Sequence, residues 1–137
     1  QPRYPSLFEI NTRVWLRRLS RDAGRPMTLA DIDDATIDDI ARRGSLVWLL
    51  SVWQTGLAAQ KISRSNPAWL EEFRSTLPDL REDDIRGSGF AVAGYTVHSA
   101  LGGDSALARL RARLRKRGMK LLLDFVPNHM GLDHPWV

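Results

Sequence analysis

Asp104-Ser105-Ala106-Leu107-Ala108-Arg109-Leu110-Arg111-Ala112-Arg113-Leu114-Arg115-Lys116-Arg117-Gly118 runs directly into Met119-Lys120-Leu121-Leu122-Leu123-Asp124-Phe125-Val126. Leu107, Leu110 and Leu114 recur at helical spacing, and Arg109, Arg113 and Lys116 fall on another face. That pattern describes an amphipathic helix with a solvated basic side. Asp104 gives an acidic cap, the Arg and Lys residues a basic end, and Gly118 a stop. Met119–Val126 is then a short apolar run without alternation, the pattern of a parallel strand covered on both faces.

The same design occurs upstream. Asp33 or Asp34 caps a helix over residues 34–43, with Arg42 and Arg43 at its negative end. Gly44 is expected to supply the left-handed turn that stops it. Asp38–Arg42 and Asp39–Arg43 fall at i,i+4, so the acidic cluster reads as capping and surface pairing rather than as metal ligands. Leu46–Trp53 follows as a strand, and Leu7–Trp15 reads as another strand before the helix. Strand, helix, strand, helix, strand implies an α/β architecture with right-handed crossovers.

The connections are unequal. Gly44 and Gly118 lead into strands almost at once, whereas Trp53 to Asp104 spans about fifty residues, far beyond the usual length for a compact unit. A short helix is expected at Pro67–Arg74, with Asn66 as cap and Trp69, Leu70 and Phe73 on one face. In parallel α/β folds such strand-to-helix loops lie where ligands bind.

The 137 residues suit one domain, and 43% hydrophobic residues suffice for a core. The absence of Cys excludes disulfides, thiolate metal sites and a cysteine nucleophile. The apolar runs fall far short of the roughly 20 residues needed to cross a bilayer, so no membrane role is expected. The net charge is +4, and 17 of the 20 basic residues are Arg. The dense run at 109–117 carries no nucleic-acid motif or aromatic platform, so no nucleic-acid partner is expected. Gln1-Pro2-Arg3-Tyr4-Pro5 shows neither Met nor an apolar leader, which favours the cytoplasm, and both ends read as cut.

Leu123-Asp124-Phe125-Val126-Pro127-Asn128-His129-Met130-Gly131 is the most specific stretch. A carboxylate within an apolar strand needs partners when buried. A lone His at a strand end is commonly structural; Asp124, Asn128 and His129 together shift the reading toward a site.

These residues resemble the α-amylase family, glycoside hydrolase family thirteen. Asp124-Phe125-Val126-Pro127-Asn128-His129 is similar to its first conserved region, at the end of the third barrel strand. Gly87-Ser88-Gly89-Phe90-Ala91-Val92-Ala93-Gly94-Tyr95 with Leu101-Gly102-Gly103 resembles the loop before the second barrel helix. Leu7–Asn11 and Trp48–Trp53 resemble the first and second strands. The resemblance implies the first three strands of an incomplete (β/α)8 TIM barrel, with a long loop between strand two and helix two, and residues 1–137 as the amino-terminal part of one catalytic domain. It further implies a retaining glycosidase or transglycosidase acting on an α-glucan or oligosaccharide. By the same resemblance His129 hydrogen-bonds the sugar at the cleavage subsite, and Phe90, where the family usually has Tyr, stacks beneath it. Asp124 and Asn128 structure the strand end; no cofactor is required, with calcium allowed at Asn128.

Retaining glycosidases need two carboxyl groups about 5–5.5 Å apart. In the resembled family these follow later strands, so the remainder of the barrel is the implied partner and the isolated chain is expected to be inactive. Two other readings of the residues stand beside this one. Trp53, Trp69 and Trp136 could stack on sugars in a small carbohydrate-binding α/β module, or the 109–117 helix could serve a basic nucleic-acid-binding domain. A metal site from His98, His129 and His134 lacks a supporting acidic motif.

Overall fold

A computed structural model of the protein describes residues 4–137. Gln1, Pro2 and Arg3, on which the expectation of a leaderless start partly rests, lie outside the described residues. The chain divides into two compact units, Gln1–Val52 with Thr96–Phe125, and Trp53–Tyr95 with Val126–Val137.

The first unit is built on a parallel sheet in the order β1 (Leu7–Asn11), β2 (Leu46–Leu50), β5 (Lys120–Leu123). Its register pairs Ile10 with Leu49 and Leu49 with Leu123, so the strand ends align. Chain order and sheet order agree, and α2 (Asp34–Arg43) and α5 (Gly103–Lys116) are the helices that precede β2 and β5. Ile10, Val47 and Leu49 are buried together with Ile37 and Ile40 of α2 and Leu107, Leu110 and Leu114 of α5. The expected coverage on both sheet faces is corrected: burial alternates along β2, and Glu9, Trp48 and Leu122, which share a register row, remain exposed or half-buried. The helices cover one face, and the alternation follows from the two-residue period of a strand.

Several local expectations change. The strand expected at Leu7–Trp15 stops at Asn11, where the side chain accepts the Val14 N–H and starts α1 (Thr12–Ala23). An Asn in this role satisfies a free donor of the first helical turn. Gly44 is extended, with φ −176°, rather than left-handed. Its need for glycine is spatial, since a Cβ there would lie 2.8 Å from the Ser6 carbonyl oxygen. Gly118, by contrast, is left-handed at φ 74°. Asp104 is not the α5 cap; Gly102 holds that place, and the Asp104 carboxylate accepts the Val97 N–H at 2.7 Å.

The acidic cluster caps and pairs, with different partners for some members. Asp33 accepts the Thr36 N–H at 2.7 Å, and Asp39 pairs with both Arg42 and Arg43. Asp38 pairs with Arg117 rather than with Arg42, and Asp34 takes Arg113 at 2.8 Å and Arg117 at 3.0 Å. Arg113 also donates to the Ile32 carbonyl. Part of the basic side of α5 is therefore committed to α2 instead of being fully solvated.

The second unit holds β3 (Trp53–Thr55), α3 (Leu57–Ser65), α4 (Pro67–Thr76) and most of β4 (Val92–Val97), with β3 and β4 paired. The strand expected at Leu46–Trp53 is thus two strands, parted at Ser51 and Val52. The α4 helix begins where expected, Asn66 accepting the Ala68 and Trp69 N–H groups ahead of Pro67. Among the described residues no helix is long and apolar enough to cross a membrane.

Candidate functional site

In the first unit, Asp124 lies one residue past β5, at the carboxyl end of the sheet, and is only 7% exposed. The register that pairs Leu49 with Leu123 sets it beside the end of β2. Its carboxylate accepts the Trp48 indole N–H at 2.8 Å through Oδ1 and the Ser51 backbone N–H through Oδ2. A buried carboxylate is tolerable when its oxygens are satisfied in this way. Ser51 has φ 63°, the one left-handed non-glycine residue among those described. Its carbonyl accepts from Arg13 Nε at 3.3 Å, so the residue is held from both sides. Asp124 thereby orders the ends of two strands and the bend after β2.

In the second unit, Asn128 and His129 lie on an exposed irregular segment that begins with Val126. The segment is fastened at three places. The Tyr95 hydroxyl accepts the Val126 N–H at 2.9 Å and donates to the Val126 carbonyl at 3.1 Å. The Gly131 N–H donates to the Val92 carbonyl at 2.8 Å. The Asp133 carboxylate accepts the Ala58 N–H at 3.0 Å, closing the first turn of α3, which has no side-chain cap of its own. That backbone hydrogen bond is the chief reason the Asp133 carboxyl titrates below its ordinary value.

Phe90 is 37% exposed and its N–H donates to Ser88 Oγ at 3.2 Å. It directly precedes Ala91 and Val92, against which Gly131 packs: a Cβ on Gly131 would meet the Ala91 carbonyl oxygen at 3.1 Å. The second unit therefore brings the Phe90 segment and the Asn128–His129 segment side by side, while Asp124 belongs to the first unit. Trp53 meets Tyr95 edge-on at 5.3 Å between ring centroids. Trp69 is 43% and Trp136 84% exposed.

Calcium takes six to eight oxygen ligands, with carboxylates prominent among them. Among the described residues no group of three or more His, Asp or Glu side chains is placed to hold a metal. Asn128 therefore has no set of three such side chains around it among the described residues. His98 and His134 are engaged locally, their Nδ1 atoms accepting the Ala100 and Trp136 N–H groups.

Sequence reading nominates Asp124, Asn128, His129 and Phe90 as candidates but not Trp48, Ser51, Tyr95, Gly131 or Asp133, which hold those segments. Trp48 and Asp124 stand 76 positions apart, a pairing that only the strand register creates.

Known proteins resemble this chain in family and in fold. The family model described as alpha amylase, catalytic domain, matches residues 69–137. A putative maltooligosyl trehalose synthase of Mycobacterium tuberculosis is 52% identical over 40 residues, which are 29% of this chain and 5% of that protein. Alpha-amylase SusG of Bacteroides thetaiotaomicron is 45% identical over 49 residues, 35% of this chain and 7% of that protein. The solved structure of Eubacterium rectale Amy13B superimposes with a TM-score of 0.57 at 14% identity, over 97% of this chain and 20% of the other. That likeness is one of fold, a parallel α/β arrangement. The family match spans half of the sequence and includes the whole Asp124–His129 stretch, and on it the chain belongs to the alpha-amylase catalytic-domain family.

Proposed function

We propose that residues 1–137 form the amino-terminal part of a (β/α)8 catalytic domain in an α-amylase-like glycoside hydrolase or transglycosylase. Its substrate is an α-glucan or oligosaccharide, and its reaction a double displacement with retention of configuration. The observation that carries this reading is the position of Asp124-Phe125-Val126-Pro127-Asn128-His129 directly after the third parallel strand, with the Asp124 carboxylate tied to Trp48 and Ser51. Three parallel strands in chain order, each crossover carrying a helix, are what the start of such a barrel requires. The fifty-odd residues between β2 and α5 then form an enlarged loop at the ligand-binding end.

In this reading His129 hydrogen-bonds a hydroxyl of the sugar that becomes oxocarbenium-like, and Phe90 supplies an apolar face beneath it. Asp124 and Asn128 keep the strand end in shape. The nucleophile and the acid/base, which must stand about 5–5.5 Å apart, come from the remainder of the barrel.

The test is to incubate the enzyme that contains this chain with maltooligosaccharides and follow the anomeric protons by NMR. Newly released α-anomer, appearing before mutarotation, is the expected result. Release of β-anomer, or no turnover on any α-linked glucan, overturns the reading.

A further inference from the structure

We infer that Tyr95 is a positioning residue that fixes the segment carrying His129. The inference rests on the reading of His129 as a sugar-binding group. The Tyr95 hydroxyl makes both backbone hydrogen bonds of Val126, accepting its N–H and donating to its carbonyl. A side chain here does what a neighbouring strand would do for that peptide unit. Val126 precedes Pro127, which disfavours the helical region for Val126, and the Pro127 ring fixes its own φ. Five residues on, the Gly131 N–H is bound to the Val92 carbonyl.

Between these two anchors only Asn128, His129 and Met130 retain ordinary backbone freedom. All three are exposed and in no regular element, so nothing in a helix or sheet ladder holds them. Their placement depends on the anchors. Tyr95 and Val92 both belong to β4, so one strand supplies the Tyr95 hydroxyl at one end and the Val92 carbonyl at the other. The Tyr95 ring is itself set by the edge contact with Trp53. A sugar-binding imidazole on a three-residue span between two such anchors is pre-oriented, which is the condition for a contact that strengthens in the transition state.

The Tyr95→Phe variant of the enzyme containing this chain tests the inference, since it keeps the ring against Trp53 and removes only the hydroxyl. Amide exchange over residues 126–131 should accelerate by about fivefold, the loss of one or two ordinary hydrogen bonds. On a maltooligosaccharide, kcat should fall about tenfold with little change in KM, because a loosened group is misplaced rather than missing. In a His129→Ala background the same change should cost less than about twofold, because residues acting through one group are non-additive. Unchanged exchange at 126–131 overturns the inference, as does a loss of kcat that persists undiminished without His129. A Tyr95→Phe enzyme that no longer folds would mark the hydroxyl as a support of the fold and overturn it equally. If the wild-type enzyme turns over no α-glucan, the functional reading falls, while the exchange measurement still decides whether Tyr95 holds the segment.

Discussion

The Asp124 carboxylate accepts the Trp48 indole N–H at 2.8 Å, joining the end of β5 to the middle of β2. Its second oxygen accepts the N–H of Ser51, which sits at φ 63°. One buried side chain thus satisfies an indole and stabilises a backbone conformation that L-residues avoid at a cost of roughly 1–2 kcal/mol.

Two substitutions separate these roles. Asp124→Ala leaves the buried Ser51 N–H and the half-buried Trp48 indole N–H unpaired and should destabilise the enzyme by about 2–4 kcal/mol, read from chemical denaturation. Ser51→Gly removes the left-handed penalty and should stabilise the wild type by about 0.5–1 kcal/mol. If Asp124 is what holds the bend, Ser51→Gly should stabilise Asp124→Ala by more than it stabilises the wild type, whereas independent sites would give equal gains.

Gly44 and Gly118 follow similar helices, yet for different physical reasons. Gly44 is extended and pressed against Ser6, where a Cβ would sit 2.8 Å from the carbonyl oxygen, whereas Gly118 is left-handed with open space around its Cβ position. Gly44→Ala should therefore cost about 1–3 kcal/mol through displacement of the chain at Ser6. Gly118→Asn should cost only a few tenths of a kcal/mol, because Asn tolerates the left-handed region. Thermal midpoints of the two variants check this, and equal losses would contradict the distinction.

What the sequence discloses depends on how local the cause is. Asp33 and Asn66 cap the helices that follow them through bonds three residues long or less, so their roles are legible from spacing. The parallel strands are legible from their apolar runs. The break at Asn11 is not, because Val14 and Trp15 continue the apolar character of β1 into a helix. Nor is the break at Ser51, where one residue with a left-handed backbone angle ends β2 and the apolar Val52 and Trp53 resume directly after it. Asp38 shows the same limit in charge pairing. The spacing offers it Arg42, but the packing of α5 on α2 brings Arg117, 79 positions away. At the site, the motif residues stand out by type, whereas Tyr95 and Gly131 act through backbone partners that have no sequence signature.

Asp34 makes the α2–α5 contact pH-dependent. Hydrogen bonds from Arg113 and then Arg117 hold its carboxyl below the ordinary value of 3.8. A carboxyl depressed in the folded state contributes stability that is complete above its unfolded value and is lost as the pH falls through the folded one. Asp34→Asn should accordingly lower the melting temperature at neutral pH, and the difference should shrink as the pH falls below the ordinary carboxyl value and Asp34 takes up its proton. The Asp34 side chain is exposed to solvent, so raising the salt should shrink the neutral-pH difference as well. A difference that survives at low pH would assign the effect to packing instead of charge.

His129 and Phe90 should fail in different kinetic ways. An imidazole against a hydroxyl of the reacting sugar gains strength as positive charge develops, so its contribution is larger in the transition state than in the ground state. His129→Ala in the enzyme containing this chain should lower kcat by about 10²-fold, the scale of a lost preorganised hydrogen-bonding group, with a smaller rise in KM. Stacking on an apolar ring is present before and during the reaction, so Phe90→Ala should chiefly raise KM and leave kcat near its original value. Phe90→Tyr adds only a hydroxyl to a side chain that is already 37% exposed, and should keep the stacking. Steady-state kinetics on maltooligosaccharides of two lengths separates the two effects. Residues 1–137 alone should release no reducing sugar from the same substrates, because the two reacting carboxyl groups are assigned to the remainder of the barrel. Full activity in a folded His129→Ala enzyme would remove His129 from the site and leave Asp124 and its neighbours with a purely structural part in the strand end.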